Sequence, residues 1–449
     1  MSWDFQNVLT LVVFAAVILA IAFDLMDMVV AGLLGVSLLV LGGVLDGTDV
    51  LDVFGAANGA IALLFGGMVV ARVLVPTGLF DQLGARFLRV TRGSGRRFIL
   101  GIVAMVVPLC ALLPNATTVI LLAPIVVRTA RALDVDIVGP LVLMAILSNS
   151  AGLLTLVGDP ATFLVGSSIG MDFTTYLQRV SLGGVLAVAV AVAMSPFLLR
   201  DTWQTRRELP AEIPLPRLER PLFCVFALSV LVLMVGLFIA GHLLPFPVAP
   251  QATAIIAASF ALLVIHRSRV DPVDAVLRDV DWKTLVFLIS MFCLVDAFAE
   301  TRLLDLLSAT VYDWFGTRLL PVALTMLVTV GLLSSVLANI PVVAGMLILV
   351  KGFLVTAEIV PEDALGSLFT AWPGHTIPVF VAMMFAGTLG GNATLVGASA
   401  NIVAAGICRD NGQPLSFGRF LYYGLPITIG QLLASALYVV VMFSMPAFQ

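Results

Sequence analysis

The chain has 449 residues, 61% of them hydrophobic and only 11% charged, with a formal net charge of -4. With a mean hydropathy of +1.13, that balance excludes a soluble globular protein. Apolar runs of spanning length recur from end to end, so the chain reads as a polytopic membrane protein. No basic patch with interleaved aromatics is present, which argues against a nucleic-acid partner.

The first run, VLTLVVFAAVILAIAF, has neither Lys nor Arg before it and no small-residue cleavage site, so it reads as a retained span. Further spans are expected near 27–45, 58–77, 182–199, 221–243, 248–265, 283–300 and 420–445, the first being near 8–23. Two segments, 139–178 and 372–407, exceed the ~20 residues of one straight membrane helix. Each holds a near copy of one motif: TLVGDPATFLVG from Thr155 to Gly166, and TLVGASANIVAAG from Thr394 to Gly406. The simplest reading is two half-helices joined by an unwound stretch. Segments 98–130 and 318–357 are apolar with polar centres, LLPNATT and VLANIPV. Each is either a pair of spans or a re-entrant helical hairpin. Pro114–Asn115 in an apolar centre favours the hairpin.

Charge sets the orientation. Arg86, Arg89, Arg92, Arg96 and Arg97 precede segment 98–130, and Arg128 and Arg131 follow it, which places both ends on the cytoplasmic side. Residues 200–220 and 266–283 are also basic, while 46–57 carries Asp46, Asp49 and Asp52 without a cation and reads as an external loop. The expectation is a multi-pass protein of the inner (plasma) membrane, with both termini outside and the linker 201–220 in the cytoplasm.

The two halves, 1–200 and 221–449, match in sequence. Asn115 maps onto Asn339, Thr77 onto Thr301 and Asp81 onto Asp305 at one offset of 224, and Thr155–Gly158 onto Thr394–Gly397 at 239. The 15-residue step falls around AEIVPEDALGS. The expected fold is therefore an all-α polytopic membrane protein of two inverted-topology repeats. Each repeat has about five transmembrane helices, a re-entrant hairpin and a broken helix, a pattern of secondary transporters.

Unwound backbone survives in hydrocarbon only where it lines a cavity or an ion site, because every N–H and C=O needs a partner. Gly152, Gly158 and Pro160 permit the first break, and Gly390, Gly391 and Gly397 the second. A break frees carbonyls for a cation and exposes a half-helix N-terminus suited to an anion. Thr155, Thr162, Thr394, Ser399 and Asn401 add neutral oxygens and amides. Gly152 or Gly390 alone would mean only close helix packing; the whole constellation reads as an ion or substrate site. Asp159 is the one acid in either motif. It either caps the following half-helix or binds a cation or coupling proton, and both can hold at once. Arg72 and Asp296 occupy equivalent places. Either they pair across the repeat interface or, the preferred reading, each snorkels to its own interface. Residues 80–97 read as an interfacial amphipathic helix with a basic face, and 303–317 as its counterpart.

These motifs resemble the ion transporter superfamily, which includes arsenite permeases, NhaD-type sodium/proton antiporters, the P protein, citrate permeases and divalent-anion/sodium symporters. GGNATLVGASANIVAAG (390–406) is similar to the second-half signature of the arsenite, NhaD and P-protein branch. TLVGDPATFLVGS resembles that branch's first-half motif, and LLPNATTVILLAPIVV its first hairpin. The resemblance spans nearly the whole chain. It implies scaffold and transport domains, cation sites at the hairpin tips and, from the divalent-anion branch, a homodimer with elevator motion. Carried over by position, Asn115 and Thr117 sit at the inner tip with Thr155, Gly158, Asp159 and Thr162 opposite. Asn339 sits at the outer tip with Asn392, Thr394, Gly397, Ser399 and Asn401 opposite. Candidate Na+ sites are Asn115/Thr155/Gly158 and Asn339/Thr394/Gly397. The tips depart from the branch, which carries an acid beside the hairpin Asn where this chain has Pro114 and Ala338.

The function these features suggest is secondary transport of a small anion or oxyacid coupled to Na+ or H+, in contact with membrane lipid. Alternatives are an NhaD-type Na+/H+ antiporter and an arsenite or silicic-acid exporter. No cofactor beyond the coupling ion is expected. No phosphate-binding loop, nucleophile–base pair or metal spacing points to an enzyme; the four Cys and three His are scattered.

Overall fold

The computed structural model describes residues 4–22, 25–208, 218, 220–301, 303–365, 369 and 371–448. Most of the linker beyond Glu208, and the side chains of Asp52, Asp81 and Asp305, lie outside the described residues. In the first half the helices are α1 (Phe5–Ala22), α2 (Met28–Leu41), α3 (Gly47–Leu74), α4 (Leu79–Thr91), α5 (Gly95–Cys110), α6 (Asn115–Ala132) and α7 (Val138–Gly152). They continue with α8 (Pro160–Ser168), α9 (Phe173–Arg179), α10 (Ser181–Leu198) and α11 (Arg200–Gln204). The second half has α12 (Pro221–Ala240), α13 (Pro250–Ser268), α14 (Val273–Arg278), α15 (Trp282–Glu300), α16 (Leu303–Phe315) and α17 (Leu319–Val336). It ends with α18 (Asn339–Thr356), α19 (Ile377–Gly390), α20 (Ser399–Asp410) and α21 (Phe417–Ser444). No strand forms among the described residues.

Helix starts repeat at the offsets read from the sequence. Leu303, Leu319 and Asn339 open their helices 224 positions after Leu79, Gly95 and Asn115, and Ile377 and Ser399 follow Val138 and Pro160 by 239. Packing is reciprocal between the halves. Helix α2 lies on α15, and α13 lies on α3; α6 lies on α20, and α18 lies on α8. Helices α10 and α21 pack on each other.

By length and composition, six helices among the described residues can cross a membrane, seven if the bent pair 61–77 and 82–91 is one span. Three expected boundaries shift. The acidic stretch 46–57 is not a loop, because Asp46 and Asp49 form a reciprocal capping box that starts α3 at Gly47. The expected span 27–45 ends at Leu41, where Gly42 caps it and Gly43 turns the chain at φ 70°. At 14 residues, about 21 Å, α2 is shorter than the ~30 Å hydrocarbon core. Broken segment 139–178 contains three helices rather than two, since α8 stops after nine residues and α9 follows with Asp172 as its N-cap. The arms α17 and α18, expected as a re-entrant pair, are each long and apolar enough to cross alone.

Arg72 does not pair with Asp296. Its guanidinium lies 2.6 Å from Asp279 and 3.1 Å from Asp271, acids of the basic stretch following α13. Asp27 caps α2 through Val29 N and bonds Lys283 at 2.7 Å. That ammonium holds the Asp27 carboxyl below the usual carboxylate range. The 200–207 stretch is pinned to the α4–α5 turn, with Arg207 N donating to Gly93 O and Gly95 N to Thr205 O, both at 2.9 Å.

Crossings in the core depend on missing side chains. A methyl on Gly390 would sit 2.4 Å from Gly331 O, backbone against backbone where α17 crosses α19. A methyl on Gly331 would meet the Leu432 side chain at 3.1 Å, with the nearest backbone atom, Ala386 O, at an ordinary 4.0 Å. Gly390→Ala is therefore expected to destabilise the protein by about 1–3 kcal/mol, with Gly331→Ala much milder. All four cysteines are buried free thiols, so thermal unfolding of detergent-purified protein with a thiol-reactive fluorophore reads the difference. Equal midpoints for the two variants would contradict the crossing.

Candidate functional site

Each broken helix is stitched to a hairpin of its own half by one threonine. Thr155 Oγ1 donates to the carbonyl of Ala111, which ends α5. Thr394 Oγ1 donates to the carbonyl of Ser335, on the last turn of α17. These are equivalent positions, and both bonds satisfy carbonyls that a helix end leaves without an intrahelical partner. The breaks close on glycine pairs. A methyl on Gly158 would lie 2.7 Å from Gly152 O and 3.0 Å from Cys110 O; one on Gly397 would lie 2.6 Å from Gly391 O. No other residue permits this approach of backbone to backbone.

Around the first break, oxygens gather. Asn115 Oδ1 and Gly158 O lie 3.4 and 3.3 Å from where Gly152 would carry a methyl. Asn115 Oδ1 is buried with no hydrogen-bond partner among the described residues. Of the candidate set Asn115, Thr155 and Gly158, the Asn115 Oδ1 and Gly158 O atoms thus lie on the same side of Gly152, while the Thr155 hydroxyl is bonded to Ala111. A cavity of about 20 Å³ touches Pro114 and Gly158 beside Gly67 and Phe163, room for about one water or bare ion.

At the second break the carbonyls equivalent to those of Gly152 and Thr155 are occupied. Asn401 Nδ2 donates to Gly391 O and to Thr394 O, both at 2.8 Å. Thr162 holds the corresponding place in the first half and makes neither bond. Thr394 is tied to the end of α17, ahead of the second tip, and Gly397 closes on Gly391.

Beyond each break the polar side chains cross between the halves. Asn115 Nδ2 donates to Asn149 Oδ1 at 3.3 Å, and Asn149 Nδ2 lies 3.0 Å from Asn392 Oδ1 and 3.4 Å from Asn401 Oδ1. Asn392 Nδ2 donates to Gln431 Oε1 at 3.0 Å and to Ser150 Oγ at 3.2 Å. Gln431 Nε2 in turn donates to Ser150 Oγ at 2.8 Å and Ala187 O at 2.9 Å. The first tip therefore feeds a buried chain of amides whose other members come from α7, the second break, α20 and α21.

The second tip receives the acid. Asp159 is 1% exposed. Its carboxylate accepts from Ala161 N at 3.1 Å and Thr162 N at 3.2 Å, which caps α8. It also accepts from Thr388 Oγ1 at 3.2 Å and Asn339 Nδ2 at 3.4 Å. So Asp159 caps its helix and at the same time reaches across to the second hairpin. The grouping expected from position changes accordingly: Thr155 and Gly158 stay with Asn115, while Asp159 and Thr162 belong with Asn339 and Thr388. Asn392 and Asn401, expected opposite Asn339, join the network of Asn115.

Two expected members stay outside. Ser399, the first residue of α20, is exposed, and Thr117 is half-exposed on α6 while its neighbour Thr118 is buried. Four residues that complete the clusters were not singled out from the sequence: Asn149, Ser150, Thr388 and Gln431, all 3% exposed or less. Their signal was available as polar side chains inside apolar helices, LSNSAG in α7 and the lone Gln of α21.

The profile of the citrate transporter family matches residues 10–372. An uncharacterized transporter of Synechocystis sp. is 41% identical over 428 residues, covering 95% of both chains. A 46 kDa membrane protein of Mycobacterium leprae is 29% identical over 439 residues, covering 96% of this chain and 98% of the other. The human P protein is 24% identical over 515 residues, which is 95% of this chain and 59% of the P protein. Among solved structures, the YdaH transporter of Alcanivorax borkumensis is similar with a TM-score of 0.49 and 16% identity, over 90% of this chain and 89% of that one. A polytopic helical chain matched over most of its length by one family profile and by transporters is not an enzyme: it belongs to the citrate transporter family of the ion transporter superfamily and is a membrane transporter.

Proposed function

We propose that the chain is a secondary transporter of a small anion, of the di- or tricarboxylate class to which citrate belongs, coupled to Na+ or H+. The observation that carries this is the crossed pair of sites, in which Asn339 bonds Asp159 of the opposite half and Asn115 reaches Asn392 and Asn401 of the opposite half through Asn149. Moving either tip then breaks contacts to both halves, so occupancy on one side bears on the other. The repeated helix starts and reciprocal packing support two inverted repeats, with the hairpins and broken helices moving as a transport unit against α3, α13 and α15. On this reading the basic linker lies in the cytoplasm and both termini lie outside the inner (plasma) membrane, as the distribution of Lys and Arg suggests. A homodimer follows the divalent-anion branch.

The two sites suit different cargo. Asp159 with Asn339 and Thr388 offers a carboxylate that a proton or Na+ neutralises, weakening the bond from Asn339 and freeing the second tip. Beside the amide chain of Asn115, Asn149, Asn392 and Asn401, the N-terminus of α20 has no side-chain cap, so its first N–H groups remain for an anionic oxygen. The α8 N-terminus is already capped by Asp159. This single capped end favours a coupled anion carrier over a plain cation exchanger.

In proteoliposomes, an inward sodium or proton gradient is expected to drive uptake of labelled citrate or a smaller dicarboxylate. If a sodium gradient alone moves protons with no anion present, the antiporter reading replaces this one. Asn115→Ala and Asn339→Ala are each expected to abolish uptake while leaving the thermal midpoint close to wild type; unimpaired uptake in both would mean the site lies elsewhere. Asp159→Asn keeps the shape and removes the charge. It is expected to make uptake insensitive to the gradient while exchange of internal for external anion continues. Gradient-driven uptake by that variant would remove Asp159 from the coupling step.

A further inference from the structure

A second cavity, of about 500 Å³, lies far from the breaks, between α6 and the end of α20. Ile120, Ala123, Val127 and Ile407 make its walls apolar, and Arg128 and Arg131 stand at one end. Pro124 lies in the middle of α6 and cannot donate to the carbonyl of Ile120, so the helix wall is interrupted there. From Ile120 to Arg128 the groove runs eight residues along the helix, about 12 Å. Ile120 is 56% exposed, so the apolar end opens on the surface that hydrocarbon covers.

The charges at the other end have no acid opposite them among the described residues. Neither Arg128 nor Arg131 forms an ion pair among the described residues, and Arg131 is held by Asn411 Oδ1 at 2.8 Å. Nearby acids are engaged elsewhere: Asp134 with Arg207 at 2.7 Å and Asp136 with Arg419 at 2.5 Å. Asp410 is exposed and pairs with neither arginine. Two guanidinium groups over a lipid-facing apolar groove present the chemistry of a phosphodiester with an acyl chain below it.

We propose that this groove binds one anionic phospholipid, its phosphate on Arg128 and Arg131 and an acyl chain along Ile120, Val127 and Ile407. Because α6 begins at Asn115 and α20 carries Asn401, the lipid wedges the far ends of two helices whose near ends form the amide cluster. The proposal does not depend on the transported species.

Native mass spectrometry of the delipidated full chain, titrated with phosphatidylglycerol or phosphatidylcholine, tests it. Wild type is expected to retain phosphatidylglycerol preferentially. Arg128→Gln with Arg131→Gln is expected to bind it roughly thirtyfold more weakly, at about 1 kcal/mol for each arginine. Ile407→Trp fills the groove while leaving both arginines, and is expected to lose phosphatidylglycerol too; this keeps the test open if the double variant folds poorly. Equal retention of the two lipids, or undiminished phosphatidylglycerol binding by both variants, would overturn the proposal. So would displacement of the lipid by glycerol phosphate at equal concentration, which would make the groove a small-anion site. A lipid-free dimer that dissociates in the double variant would assign the face to a second copy and overturn it equally.

Discussion

Everything in this molecule follows from a backbone that stops being helical inside the membrane. A broken helix strands several N–H and C=O groups where no water can serve them, and leaving one unpaired costs a few kcal/mol. The chain meets this twice in the same way. A glycine pair brings the two sides of the break within contact, and a threonine hydroxyl closes on the end of the neighbouring hairpin. Once Thr155 is bonded to Ala111 and Thr394 to Ser335, the hairpin tips are fixed beside the breaks. That places Asn115 and Asn339, the first residues of α6 and α18, at the centre of the structure. The site is thus a by-product of satisfying backbone.

The parts of this that one segment decides alone were legible in the sequence. Five pairs of helix starts fall at the offsets 224 and 239 that the sequence matches carry, as a repeat keeps its spacing wherever no insertion falls. Asp159 as a helix cap followed from an acid placed directly before Pro160. The start of α3 was missed because three acids in a row of small residues look like a loop, whereas Asp46 and Asp49 are spaced as a capping box and begin a helix.

What one segment does not decide was read less well. The expected sites kept each half to itself, whereas Asp159 bonds Asn339 and Asn115 leads to Asn392 and Asn401. A sequence repeat shows which residues correspond, not which of them touch, and an intertwined pair of repeats exchanges the partners. Asn149, Ser150 and Gln431 escaped for a related reason. Asn149 and Ser150 are neighbours in α7 and Gln431 stands alone in α21, each set within an apolar run, and only the folded arrangement shows that the two helices bring them together. Arg72 pairs with acids of the second half, Asp271 and Asp279, which lay beyond the reach of local reading.

The match between the halves is also imperfect in a way that bears on mechanism. Where the first half has Asp159 and Thr162, the second has Ala398 and Asn401; where the first has Asn149, the second has Thr388. These exchanges gather the acid at one tip and most of the amides at the other. A carboxylate changes charge when it takes a proton or a sodium ion, and an amide does not. On the proposed reading, then, the tip that senses the gradient is the one holding Asn339, and the amide chain at Asn115 recognises cargo without titrating. Symmetric sites would bind the same thing twice. Breaking the symmetry at three registers gives the two copies of one frame separate tasks, while Asn149, bonded at once to the first tip and to both second-half amides, keeps the halves from moving independently.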